Sequence, residues 1–488
     1  MGISRNDLYY AALALVMMSF ACSVGSPAPA TNIDQIPPPP SATQIPEATT
    51  PSPIDSAPAP ITIPEAELTL NGPWLVFANE TGIWAVNPDG SGLKQLTNQP
   101  IAGGQELIDG IPTFMGRQVA YITATGFDKD LTLHIVALPQ GSEIFSTPLI
   151  SEAVYAQGDG GFAPEPVKTA GSLKMTEWSR DGRFLAFMAA LDGPTLDLYL
   201  YDILSGEVIR LTDGPSQAIR PSWSPTGDYI FHMGVDSIGT GAGMSMAGAW
   251  VSNLDGSEVR SLYDPRGSGD EVIVGWIDDL ALVIHSWNAL CGTHNLRTLD
   301  IQTGSQEALW QGYFEQVALD PFSGTTVVSV GPIQSDCNED DRQGLFMVSR
   351  GIPARQIIDQ EVKDVVWSPE AMKFFSRTEL GTQAISLNGE WQAIAEIADN
   401  FPPIVSPEGE LLAWFGTEKL WVGPLADSIE NPPQKVFNEG VTHATWTPDG
   451  DALFIFSENR LWFAPAPQYI PSLVAEGIST FQSIWLSP

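Results

Sequence analysis

The chain has 488 residues, 43% hydrophobic and only 16% charged, with 45 Gly and 40 Pro, a mix that suits many short strands and tight turns and argues against long helices. Its 22 basic against 58 acidic residues give a formal net charge of -36. Such a surface repels phosphate backbones and anionic headgroups, which argues against a nucleic-acid partner and is compatible either with plain solubility or with attraction for basic partners.

At the N-terminus a single basic residue, Arg5, precedes an apolar run from Leu8 to Ala21. The run falls short of the ~20 residues needed to span a bilayer and fits a signal-peptide core. It ends in Ser19-Phe20-Ala21-Cys22, which resembles a bacterial lipobox. The resemblance implies cleavage before Cys22 and lipidation of its thiol. Ala21 supplies the small residue wanted there, whereas Ser19 stands where Leu is usual and Asp7 adds an acid to the leader. Residues 1–21 are therefore expected to be a signal peptide of a lipoprotein, with ordinary secretion and then an uncleaved anchor as the alternatives. Residues 22–66 are rich in Pro, Ala, Ser and Thr, and such a segment buries too little apolar surface to fold. As an extended tether it would reach on the order of 100 Å.

From residue 67 onward the sequence repeats. One unit reads EWSRDGRFLAFMAALDGPTLDLYLYDILSGEVIRLTD from Glu177, the next opens PSWSPTGDYIFHMGVD at Pro221, and the last full unit is ATWTPDGDALFIFSENRLWFAPAP. Each has an apolar segment ending in Trp, a Ser/Thr-Pro-x-Gly type of turn, a second apolar segment, a third with alternating aromatics, a Gly turn and a fourth segment. Segments of about five to seven residues with this patterning read as strands, and four antiparallel strands per unit describe a propeller blade. The units resemble the PD40 repeats of TolB-like propellers. That resemblance implies an all-β, single closed β-propeller with protein partners, but the fold hosts many functions.

Counting first strands by their Trp or its equivalent gives Phe114, Trp178, Trp223, Trp276, Leu319, Trp367, Val405 and Trp446. The opening unit lacks a first strand, and the closing segment FQSIWLSP is a first strand without successors. Pairing residues 480–486 with Trp74–Ala78 makes a ninth blade and removes two exposed sheet edges. Eight blades result if a weak unit such as the second is not a true blade.

The tight Pro/Gly turns (residues 224–227, 254–256, 303–304 and 448–450) belong to one face of such a ring. The insertions, residues 151–173, 234–247, 286–294 and 331–343, belong to the other, and long loops on a rigid scaffold commonly carry binding. Cys291 and Cys337 fall in second-to-third-strand loops of neighbouring blades, so a Cys291–Cys337 disulfide is expected in an exported chain, the alternative being two free thiols. Asp336, Asn338 and Asp340 place oxygen ligands at alternate positions, as a calcium loop would, but Asp341 occupies the position where that loop needs Gly, so a solvated acidic loop is expected and no cofactor. His294 lies near Cys291 and is the histidine to test; His134, His232 and His285 sit in apolar strands and are expected to be packed, and His443 joins no cluster.

Gly243-Met244-Ser245-Met246-Ala247 is one residue from a G-x-S-x-G nucleophile elbow, yet it lies within a propeller loop and no α/β hydrolase region follows. The expectation is a monomeric, non-catalytic surface lipoprotein that recognises a protein, peptide or envelope glycan through Asp336, Asn338, Asp340 and His294 on the long-loop face. The alternative is a polysaccharide lyase or hydrolase working in the central funnel, marked by ionisable groups around the axis.

Overall fold

A computed structural model of the chain describes residues 67–486 apart from 80, 100–116, 126–128, 159–163, 171–174, 239–243, 264–269, 289–291, 332–341, 380, 396–402, 417–418, 426–432, 439 and 481. The chain divides into two units, Met1–Ile61 and Thr62–Pro488. The expected signal peptide, Cys22 and the expected tether lie outside the described residues.

The second unit is a nine-bladed β-propeller. Blade 1 is composite, running Lys94–Gln95, Gly82–Val86, Trp74–Asn79 and Gln482–Leu486 across the sheet. Blade 2 shows three strands, Gln118–Thr123, Thr132–Ala137 and Ser142–Pro148; the segment around Phe114, expected to supply its first strand, lies outside the described residues. Blades 3 to 9 are four-stranded meanders whose first strands are Thr176–Trp178, Gln217–Trp223, Asp270–Asp278, Gln316–Leu319, Asp364–Ser368, Ile404–Val405 and Val441–Trp446. Each holds the expected marker residue.

First strands of successive blades lie beside one another, as Gln316–Leu319 does with Asp364–Ser368 and Ile404–Val405 with Val441–Trp446. Fourth strands such as Ser142–Pro148 and Ile352–Ile358 are largely exposed. The first strands therefore form the inner wall of the ring. The core is not central but distributed between blades. Apolar clusters join blade 1 to 2, 2 through 5, 5 to 6, 6 to 7, 7 to 8, 8 to 9, and 9 back to 1.

The repeated Trp has a second duty beside burial. Trp223 Nε1 donates to the Glu177 carbonyl at 2.9 Å, Trp276 to Ser222 Oγ at 3.0 Å, and Trp446 to the Ile404 carbonyl at 3.1 Å. In each case the acceptor stands one residue before the marker position of the preceding blade. Trp485 in the terminal strand follows the same rule, donating to Thr445 Oγ1 at 3.2 Å. The register Trp74↔Leu486 through Ala78↔Gln482 completes blade 1. The two ends of the second unit thus share one sheet.

The turn after the first strand is clamped by the Ser or Thr that follows the marker. In blade 4 the Tyr229 N–H donates to Ser224 Oγ at 3.1 Å, and Gly227 takes φ +81°, which an L side chain rarely adopts. Ser179, Ser406 and Thr447 make the same bond in blades 3, 8 and 9.

Candidate functional site on the long-loop face

Blades 4 and 5 depart from the repeat. Their second and third strands are Tyr229–Ile238 with Met244–Asn253, and Ala281–Asn288 with Gly292–Asp300, against five or six residues in every other blade. The extra length lies toward the second-to-third-strand loops, and register shifts at Gly234/Val235 and Ile284/Ser286 mark where each hairpin leaves the regular blade. The 151–173 crossover, expected as a loop, carries two short helices, Glu152–Tyr155 and Glu165–Ala170. Val167 and Ala170 of the second join the core under blade 4, and Glu165 Oε2 accepts the Ile238 N–H at 3.1 Å. Three insertions therefore converge on one raised sector of one face.

Beneath this sector, toward the inner wall, lies a buried polar cluster. Glu271, in the first strand of blade 5, is fully buried. Its carboxylate accepts from Ser286 Oγ at 3.0 Å, from Tyr263 Oη at 3.3 Å and from the Arg297 guanidinium. Arg297 also donates to Ser286 Oγ at 3.1 Å, to the Asn295 carbonyl at 3.0 Å and to Gln306 Oε1 at 2.7 Å. A buried ion pair persists only when its remaining hydrogen-bonding capacity is met in this way. Burial and the nearby Glu271 charge push the Tyr263 hydroxyl well above its ordinary range, so it stays protonated and donates. Burial, together with the Arg220, Arg297 and His294 charges and against the bond to the Ser286 carbonyl, pulls His285 down to about 4. Arg220, from the inner strand of blade 4, reaches across to the Glu271 carbonyl.

His294, the histidine singled out by the sequence, stands at the base of the blade 5 hairpin. Its Nδ1–H donates to the Gly292 carbonyl at 2.9 Å and Asn288 donates to Nε2 at 3.4 Å. Cys291, Cys337, Asp336, Asn338 and Asp340 lie outside the described residues. The remaining histidines are packed: His134 stacks on Tyr121 and bonds Glu143 at 2.7 Å, His232 stacks on Trp250, and His443 bonds Ser483 at 2.6 Å across the closing seam. Ser245 lies inside the strand Met244–Asn253, paired with Ser237, and not at a strand-to-helix turn. Among the described residues no group of three or more His, Cys, Asp or Glu could hold a metal ion.

Sequence reasoning missed Arg220, Glu271, Arg297 and Tyr263. The signal for the first two was a charge inside an innermost strand, Arg220 in AIRPSW and Glu271, beside Asp270, in DEVIVGW. Notches of about 450, 450 and 420 Å³ open where the crossovers at 356–360, 211–218 and 95–99 meet the outer strands of the next blade. Their recurrence in three blades makes them a product of blade stacking.

No family model matches the chain. Over 79 residues, 16% of its length, it is 38% identical to the uncharacterized peptidase YuxL of Bacillus subtilis (strain 168). Over 105 residues, 20% of its length, it is 32% identical to the uncharacterized protein Atu1656 of Agrobacterium fabrum. The chain spans only 12% and 33% of those two relatives. A solved eukaryotic initiation factor is similar with a TM-score of 0.53 at 13% identity, over 85% of this chain and 98% of that one. At this identity the likeness speaks for the propeller fold alone.

Proposed function

We propose that the chain is an exported, non-catalytic binding propeller, held at the outer face of a bacterial membrane through lipidated Cys22, that takes a protein, peptide or envelope glycan on the raised sector over blades 4 and 5. One observation carries the reading: three separate insertions converge there. The PD40-like turns support a protein partner, since TolB-like resemblance implies one. In this reading the chain is monomeric and works without a cofactor, Asp336, Asn338 and Asp340 holding no calcium.

The ionisable cluster near the inner wall is what a lyase or hydrolase in the funnel would draw on. Its carboxylate, however, is spent on Arg297, Ser286 and Tyr263, which leaves Glu271 poorly placed as a general acid or base.

The test is capture from detergent-solubilised membranes with the full chain as bait. A variant with residues 236–245 replaced by a two-residue turn should lose the captured partner, and a variant with residues 448–450 altered should keep it. Equal capture by both, or turnover of a glycan panel by the full chain, overturns the reading. Cys22→Ser should release the protein from the membrane fraction; continued retention contradicts the lipid anchor.

A further inference from the structure

We propose that Arg220 is a recognition group for a carboxylate ligand, at the inner wall between blades 4 and 5. The inference deepens the binding role assigned above and rests on it for its location.

Arg220 sits in the inner strand Gln217–Trp223, at the register shift between Ile219 and Ser222, with φ +53°. This left-handed conformation is disfavoured for any residue with a Cβ, and the following Pro221 restricts the backbone further toward extended forms. Such strain persists only where the surroundings over-determine it, and here it aims one guanidinium across the seam between two blades.

That guanidinium is under-used. It has five N–H donors, and its hydrogen bond is the one to the Glu271 carbonyl. No carboxylate oxygen among the described residues lies within ion-pair distance of it. Glu271 is taken by Arg297, Ser286 and Tyr263, and Asp270, whose Oδ1 accepts the Met244 N–H at 2.6 Å, acts on Arg220 through its charge without an ion-pair contact. Arg297 shows what a satisfied guanidinium looks like in the same place, with Glu271, Ser286, Asn295 and Gln306 around it. Partial burial lowers the affinity of Arg220 for its proton, against the nearby Asp270 charge. In a chain with 58 acidic and 22 basic residues, Arg220 and Arg297 bring two guanidinium groups together at Glu271.

A planar guanidinium with free donors pairs best with a carboxylate, which it grips through two parallel bonds. A phosphate dianion is disfavoured, because Asp270 and Glu271 flank the group and the whole molecule carries -36. Carboxylates reach such a site from a peptide C-terminus or from a uronic acid. The chemistry is shared, and the probes separate the sources.

The experiment is calorimetric titration of the full chain with tetra-alanine as free acid and as amide, and with glucuronate and its methyl ester. One free acid should bind, and its neutral counterpart should bind ~tenfold or more weakly. Arg220→Lys should weaken the acid by ~tenfold or more, because an ammonium cannot form the fork. In wild-type protein the same acid should slow phenylglyoxal labelling of Arg220, mapped by mass spectrometry, so the test survives a variant that misfolds. The proposal is overturned if acid and neutral forms bind alike, if neither binds and labelling is unmoved, or if inorganic phosphate outcompetes both acids. Loss of the captured partner on trimming residues 236–245, with no carboxylate binding, would sink this proposal and leave the binding role standing. Carboxylate binding without a partner would do the reverse.

Discussion

The closing blade and the raised sector are built on opposite principles. Blade 1 is the repeat at its most regular: apolar, continuous in register across residues 74–78 and 482–486, and tied to blade 9 by the same Trp bond that links blades 3 to 4, 4 to 5 and 8 to 9. The raised sector breaks the repeat with longer strands, shifted register, a strained Arg220 and a buried ion pair. The regular part accounts for the ring. The irregular part is where the molecule spends stability on something the ring does not need, and that is the physical reason to look for binding there.

The contrast is broken most severely by deleting residues 479–488. Leu486 is fully buried against Trp74 and Val76, and the strand covers an otherwise open edge. Roughly 3–6 kcal/mol should be lost, with aggregation through the bared edge, as read by urea unfolding and light scattering. An unchanged unfolding midpoint would mean that the ring does not depend on its seam. Next in size is Glu271→Ala, which strands Arg297 in the interior and should cost about 3–5 kcal/mol while leaving the blade 1 pairing protected from hydrogen exchange. If exchange rises equally in both regions, they are one cooperative unit and the contrast fails.

Acid should act mainly on the raised sector. Burial pulls His232 and His285 from 6.5 down to about 4, while His443 at the seam is also lowered. Between pH 6.5 and 4 the unfolded chain binds protons that the folded one does not. Stability therefore rises with pH through this window and falls as pH drops through it, by the order of 2–3 kcal/mol for each of the two deeper histidines. Urea titrations from pH 7 to 4.5 on wild type and on the His232→Gln/His285→Gln double variant check this. The double variant should show the flatter profile, and a profile flattened equally by His443→Gln alone would place the sensitivity at the seam instead.

Much of this was legible because a propeller repeats its chemistry. The marker residues, the Ser/Thr-clamped turns and the complementary ends could be read in one dimension. The pairing of residues 480–486 with 74–78 followed from noticing one missing strand and one surplus strand. The raised sector was legible only as loop length. That its insertions meet on one side depends on how helix Glu165–Ala170 seats against blade 4, and that contact joins residues 73 positions apart. The Glu271–Arg297 pair spans two strands and a hairpin, and the bend at Arg220 exists only through the register shift beside it. Local patterning shows the charges of Arg220 and Glu271 in inner strands but neither the pairing nor the bend. The indole bonds between blades were hidden for the same reason, since Trp reads as burial whatever its nitrogen does.

The smallest expected effect sharpens that last point. Trp485→Phe keeps the apolar contact and removes the bond to Thr445, so it should cost about 1 kcal/mol, as should Trp446→Phe in an ordinary blade. A loss confined to Trp446→Phe would show that the seam is not a true copy of the other blade junctions.

Native-state hydrogen exchange on the full chain reads the seam directly. The amides of residues 482–486 should be protected to the same degree as those of Val441–Trp446, the inner strand of the neighbouring blade. Exchange of 482–486 at the rate of a fraying terminus, with Val441–Trp446 still protected, would contradict a ring closed by its own last strand.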